Sequence, residues 1–336
     1  MTQYIISLKT TFKLKLKHKK MNKTIVVLAL CMAVLTGHSQ NLKLYMDQNI
    51  HKFGFKDPNG KTIISAKYDY AGEFKEGLAA VELNSKYGFI NVAGKEIIPL
   101  KYEETYNFNY GRAAVKLNGK WGFIDSHGEE IIPLEFDSVN DFSDELAPVK
   151  LGNKYGFIDK FGKIIIPLKY DRLNNFSEKL AAVMLNKKWG FIDYENKLII
   201  PMEYDSVDSF YEGLASVKLN GKYGYINKLG NVTIPPKYDA ADRYSKGFAE
   251  VKLNKKKGII DNLGKEIIPL KYDQVSSFSE GLIAVKLNGK WGFLDMSGTE
   301  VIPMIYEKAS SFHKGVANVL LNDQYLKIDK TGKKTK

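Results

Sequence analysis

Through most of the chain, apolar and polar residues alternate in short runs. In Leu214-Ala215-Ser216-Val217-Lys218-Leu219, one side carries Ala215, Val217 and Leu219 and the other carries Ser216 and Lys218. A period of two marks a half-buried β-strand. Runs of this type recur, each followed by an aromatic-Gly strand and then by a strand containing Ile-Ile-Pro, as at Ile131-Ile132-Pro133. The pattern predicts an all-β fold of short antiparallel strands, three per unit.

Two turns join the strands. Asn118-Gly119, Asn220-Gly221 and Asn288-Gly289 each separate a Val-Lys-Leu strand from an aromatic-Gly strand. Asn-Gly suits a type I′ hairpin, whose two central residues both need positive φ. The second turn reads Asp-x-x-Gly-Lys, as in Asp159-Lys160-Phe161-Gly162-Lys163. There Asp accepts hydrogen bonds from the turn backbone and Gly supplies the left-handed residue. Asn196 stands in for that Gly in one copy and tolerates the same conformation. The prolines at 99, 133, 167, 201, 235, 269 and 303 are expected to end the third strand, because proline cannot donate to a ladder. The glycine of the aromatic-Gly step is expected to let a neighbouring ring lie close to the backbone.

The units are copies of one another. Phe53-Gly54, Tyr87-Gly88, Trp121-Gly122, Tyr155-Gly156, Trp189-Gly190 and Tyr223-Gly224 follow at intervals of 34 residues, and Trp291-Gly292 keeps the phase. Lys257-Gly258 has lost the aromatic and Tyr325-Leu326 the glycine. Aromatics at Tyr68, Tyr102, Phe136 and their successors, and at Phe74, Phe108, Phe142 and theirs, fall at one place in every unit. They are expected to stack between neighbouring units.

The motif Lys-Trp/Tyr-Gly-Phe-Ile-Asp-x-x-Gly-Lys-x-Ile-Ile-Pro-x-x-Tyr-Asp, followed by Phe-x-x-Gly-Leu-Ala-x-Val, resembles the WG-repeat family of bacterial proteins. The resemblance runs over roughly residues 41–334. It implies a β-rich repeat array and assigns no activity and no catalytic residue. A four-stranded propeller blade takes about 40–45 residues, more than this unit has. Half-units also remain at both ends, at Leu42–Met46 and Tyr325–Asp329. An open, solenoid-like stack with capping ends is therefore favoured over a closed β-propeller, the alternative being a ring whose last blade both termini complete.

The ends and the charge narrow the function. Lys20-Met21-Asn22-Lys23, then apolar residues to Thr36 and Gly37-His38-Ser39, read as a signal peptide. Residues 1–39 are accordingly expected to be a leader, with Met21 the true start, and 40–336 a single array of about eight units. The apolar run is short for a membrane span, and no stable span is expected in the mature chain. Cys31 is the only cysteine and lies inside the leader, so thiol chemistry is absent from the expected mature form. The formal net charge is +12, but seven lysines between Lys9 and Lys23 leave only +5 for the remainder. Scattered charge of that size does not provide the clustered phosphate contacts that nucleic acid requires.

Candidate chemistry is sparse. His51, His127 and His313 occupy different repeat positions. One Asp per turn does not supply the six to eight oxygens of a calcium site. No metal, cofactor or catalytic residue is expected, and the chain reads as non-enzymatic. The expected role is an exported scaffold that binds a protein partner at the cell envelope, in the periplasm, on the outer surface or after secretion. Its specificity would lie where the copies differ: Glu104-Thr105, Arg172-Leu173-Asn174, Gln274-Val275-Ser276 and the basic run Lys255, Lys256 and Lys257. The alternative is a cell-wall glycan module in which Trp121, Trp189 and Trp291, with the tyrosine ladder, are stacking platforms.

Overall fold

The computed structural model describes residues 42–335. The expected leader lies outside the described residues. The described chain is all-β and forms nine small antiparallel sheets in chain order, seven of them four-stranded, with three-stranded sheets at the two ends. We number the sheets 1 to 9. Sheet 5 is representative: Arg172–Leu173, Ala181–Leu185, Lys188–Ile192 and Leu198–Tyr204, each paired with the next.

The first of these strands is an addition to the three expected per unit. It is only two residues long, Arg172 opposite Met184 and Leu173 opposite Val183. The chain then leaves the ladder so that Phe176 turns into the core, and it rejoins at Ser177 opposite Leu180. A second tight hairpin follows, with Glu178 and Lys179 both at positive φ. No period of two develops in so short an edge strand, and so the pattern of apolar residues does not reveal it.

Both expected turns form. Asn118 and Gly119 have φ of 52° and 74°, and Asn254 and Lys255 have 50° and 66°. At Asp159, Oδ1 accepts the amides of Phe161 and Lys163, each at 2.9 Å. Asn227 accepts the equivalent pair through its own Oδ1 at 3.0 Å, which is why either residue serves.

Two expectations are corrected. The third-strand proline does not end its strand: Leu198–Tyr204 runs straight through Pro201. Trp189 faces Tyr204 and Phe191 faces Ile200, so four residues on one strand span the length of two on the other. Proline is tolerated in such a bulge because the ladder there requires no donor. Nor does Gly190 make room for an aromatic ring. A Cβ on Gly190 would sit 2.5 Å from the Ile200 carbonyl oxygen and 2.9 Å from the Pro201 backbone. The glycine accommodates the bulged backbone of the next strand.

Sheets pack face to face, and their two faces differ. One face of sheet 5, with Leu180, Ala182, Phe191, Ile200 and Tyr204, meets Ala215, Val217 and Ile226 of sheet 6, with Phe210 closing the edge. The same large-against-small contact recurs between sheets 2 and 3, 3 and 4, and 4 and 5. As expected, the recurrent aromatics form this inter-unit core. Rings 19 residues apart meet at 4.7 Å in Phe191–Phe210 and 4.8 Å in Phe89–Phe108. Each such pair contributes about 0.5–1.5 kcal/mol beyond its burial.

The two end faces break the pattern. Where inner sheets place a buried Ile on the small face, sheet 1 has Lys56, with Lys43 opposite it and Tyr45 beneath the Lys56 ammonium. Where inner sheets place the buried Phe on the large face, sheet 9 has exposed Lys327, with exposed Asn318 opposite. Among the described residues no strand pairing or hydrogen bond joins sheet 1 to sheet 9. Closing a ring would bury lysines against one another, and the array is open, as expected.

The second acidic series also belongs to the fold. Asp171 Oδ1 accepts from Lys154 Nζ at 2.6 Å and Oδ2 from the Asn186 amide at 2.8 Å, which ties the edge of sheet 5 to two hairpins. The Lys154 ammonium, then the amide, hold the Asp171 carboxyl below the usual carboxylate range, and Asp69, Asp137 and Asp239 are lowered in the same way.

Three outcomes follow. Gly190→Ala should lower stability by about 1–3 kcal/mol through backbone overpacking. Gly221→Asn should cost much less, since no atom lies within 4 Å of its Cβ position; denaturant unfolding compares the two. Replacing the end lysines, Lys56→Ile with Lys327→Phe, should produce concentration-dependent head-to-tail association beyond that of the native chain in light scattering. The lowered Asp carboxyls stabilise the fold fully above their unfolded pKa of about 3.9. That contribution should vanish as pH falls through their lower folded values, and Asp171→Asn should blunt the acid transition followed by circular dichroism.

Candidate functional site

Along one edge of the array, the aromatic of each aromatic-Gly step alternates with the first residue of the next sheet's edge strand. The two are 17 residues apart. The Tyr70 ring thus lies between Phe53 at 6.4 Å and Tyr87 at 6.2 Å. Carried along the repeat, the intervening positions are Glu104, Ser138, Arg172, Ser206, Ala240, Gln274 and Lys308. The result is a ladder of rings whose spacers vary along the array, with serine the one repeated type among these seven, at 138 and 206.

Lysines of the neighbouring strand overlie this ladder. Lys116 Nζ sits 5.8 Å from the Trp121 ring centroid, Lys150 5.5 Å from Tyr155 and Lys218 5.2 Å from Tyr223. These distances place the ammonium groups within cation–π range. In sheet 2 the corresponding residue is Glu82. Burial and the Glu82 carboxylate together push the Tyr87 hydroxyl up to about 12.

The sequence-derived candidates divide on this frame. Arg172 and Trp189 come together: with Tyr155, Lys150, Asn153 and Asn174 they line an open groove of about 520 Å³. Arg172 is exposed and has no ion-pair partner among the described residues. Trp189 and Trp291 are half-buried. Trp121 is only 5% exposed, covered by Tyr106 at 5.1 Å between ring centroids, and so offers no stacking face. The basic run does not form one patch. Lys255 projects from its hairpin, Lys256 pairs with Asp273 at 2.5 Å, and Lys257 turns to the other face and pairs with Glu250.

Lys150 and Asn153 were not singled out from the sequence, and neither was the meeting of Arg172 with the Tyr155 and Trp189 positions. The 17-residue offset between ring and spacer is the signal that would have found that meeting. The edge strand that creates this offset is the one too short to show a pattern. Elsewhere, the carboxylates of the Asp-x-x-Gly turns are occupied by turn amides. Among the described residues no three His, Cys, Asp or Glu side chains converge as metal ligands, and no helix is long and apolar enough to cross a membrane.

Comparison with known proteins bears on the repeat. No curated protein matches the sequence. Among solved structures, a eukaryotic initiation factor is similar at a TM-score of 0.48 and 12% identity, over 87% of this chain and 94% of the other. Hsv2p of Kluyveromyces lactis is similar at 0.36 and 12%, over 65% and 89%. PorZ of Porphyromonas gingivalis, described as an essential bacterial surface component of the type IX secretion system, is similar at 0.30 and 9%, over 78% and 45%. At such scores none of these structures informs the reading of this chain. The model of the "WG containing repeat", by contrast, matches eight times in succession from residue 53 to residue 325, with boundaries at the ring positions 87, 121, 155, 189 and 223. The chain belongs to the WG containing repeat family.

Proposed function

We propose that the chain is an exported, non-enzymatic scaffold that binds a protein partner at the cell envelope, with the ladder around Arg172 and Trp189 as its principal contact. The residues that recur in every unit are engaged in turns, bulges and inter-sheet packing. The residues that differ are the ladder spacers and the turn tips, both on the outside. Repeat arrays bind through such extended faces.

One observation carries the reading. Arg172 is an exposed guanidinium without a counter-ion, placed between two half-buried rings, Tyr155 and Trp189. Arg, Tyr and Trp are the residues that most often dominate protein–protein binding energy. Export rests on the leader-like residues 20–39 of the sequence. The absence of any motif for catalysis supports the non-enzymatic role.

A glycan reading has one observation of its own. Trp189 and Tyr155 are both half-buried and both line the groove, where a sugar ring could stack. Trp121 cannot contribute to it.

Affinity capture from the native cell envelope with residues 40–336 should retain a defined protein. Arg172→Ala and Trp189→Ala should each weaken its retention about tenfold or more. Retention unaffected by both substitutions would remove the ladder from the interface. Quenching of Trp fluorescence by peptidoglycan fragments, lost in Trp189→Ala, would move the assignment to the glycan.

A further inference from the structure

The interface between sheets 7 and 8 is built differently from the others, and the difference leaves a cavity. In sheets 1 to 6 and in sheet 8, the buried large-face residue is Phe55, Phe89, Phe123, Phe157, Phe191, Tyr225 or Phe293. In sheet 7 it is Ile259. Three further positions change with it. Glu250 stands where other sheets have Ala80, Ala114, Ala182 or Ala284. Lys257 replaces the ring of the aromatic-Gly step, and Phe248 replaces the leucine that starts the second strand.

The packing rearranges accordingly. Phe278 has no ring at position 259 to meet. It lies against Phe248 instead, at 5.4 Å between centroids. Both rings are half-buried, whereas the counterparts Phe210 and Leu214 are 0% and 8% exposed. Ile283 of sheet 8, in the place of an alanine, takes up part of the vacated volume. A cavity of about 260 Å³ remains. Phe248, Ile259, Phe278 and Met296 form its apolar part, Glu250 is the charged group among them, and the exposed Asp242, Arg243 and Lys246 stand at the rim.

The electrostatics select the sign of a ligand. One oxygen of Glu250 is held by Lys257 at 2.5 Å, and the Glu250 side chain is only 22% exposed. Its other oxygen has no hydrogen-bond partner among the described residues. The rim guanidinium of Arg243 is turned away, 4.7 Å over the Tyr211 ring of the preceding unit. Thus a carboxylate and two phenyl rings line the cavity together, and a carboxylate and the face of a phenyl ring both attract cations. An anion would have to approach the carboxylate with the cation beside it, Lys257, already committed, and the exposed Arg243 and Lys246 stand at the rim together with Asp242.

We propose that this cavity is a binding site for a small organic ammonium with an apolar body, its charge on Glu250 and its body against Phe248, Phe278 and Met296. The site is distinct from the ladder groove and holds whether or not that groove binds a protein. It occurs at one interface because, among the sheets whose large face is covered by a neighbour, only sheet 7 gives up the ring.

Titration calorimetry of the full chain with 2-phenylethylammonium tests the site, and 3-phenylpropionate is the matched anion. The ammonium should bind with a Kd of about 1 mM or tighter, and the anion should give no signal. Glu250→Gln should weaken the ammonium at least tenfold. The double variant Ile259→Phe with Ile283→Ala restores the arrangement of the other interfaces, so it is expected to fold and to abolish binding. Circular dichroism confirms the fold of each variant. No binding to the native chain, equal binding of the anion, or binding unchanged in the double variant would overturn the proposal.

Discussion

Everything in this structure depends on the fit between the two faces of one sheet. One face presents Phe, Ile and Tyr; the other presents Ala, Val and Ile. The rings of one copy fill the space left by the small residues of the next, and burying each large side chain contributes about 1.5–3 kcal/mol. Because the two faces are complementary to each other and neither is complementary to itself, the contact is head-to-tail. Such a contact propagates until something stops it. Here it is stopped by charge: Lys56 and Lys327 occupy the places of a core isoleucine and a core phenylalanine, and they leave the end faces in water.

The same fit explains the family's signature. The fourth strand of each sheet must deliver an Ile and a Tyr to the large face although four of its residues run beside two of its neighbour's. The resulting bulge lies directly on the aromatic-Gly step, and only a residue without a Cβ fits beneath it. The proline lies in that bulge, where no donor is required. The carboxylates follow the same logic, since each is committed to turn amides or a lysine. The recurring chemistry is spent on holding the array, and the variable spacers of the ladder remain free to confer specificity. Where one interface gives up its ring, the packing opens instead of collapsing, because the sheets on both sides are held at their spacing by their other neighbours.

Much of the fold was legible in the residues. The 34-residue period, the Asn-Gly and Asp-x-x-Gly turns, the inter-unit role of the aromatics and the open ends are all local or periodic features, and strict repetition multiplied each signal eightfold. The two-residue edge strand was not legible, because it is too short to alternate. Nor was the reason for the glycine, because the backbone that excludes a Cβ there lies about ten residues further along the chain. Lys56 and Lys327 could have been read as caps by aligning the copies. They stand at core positions, and only the pairing of the two faces shows that those positions are outermost.

Sequence alone therefore determined the class, the period and the turns of this protein, since these depend on residues close together in the chain. The tertiary structure decided which residues share a surface. It brought Arg172 to Trp189 across 17 positions, withdrew Trp121 into the core, and separated Lys255, Lys256 and Lys257 onto different faces. It also opened a cavity where Ile259 replaces a ring. These outcomes depend on how strands and sheets lie against one another, a relation that the order of residues along the chain does not specify by itself.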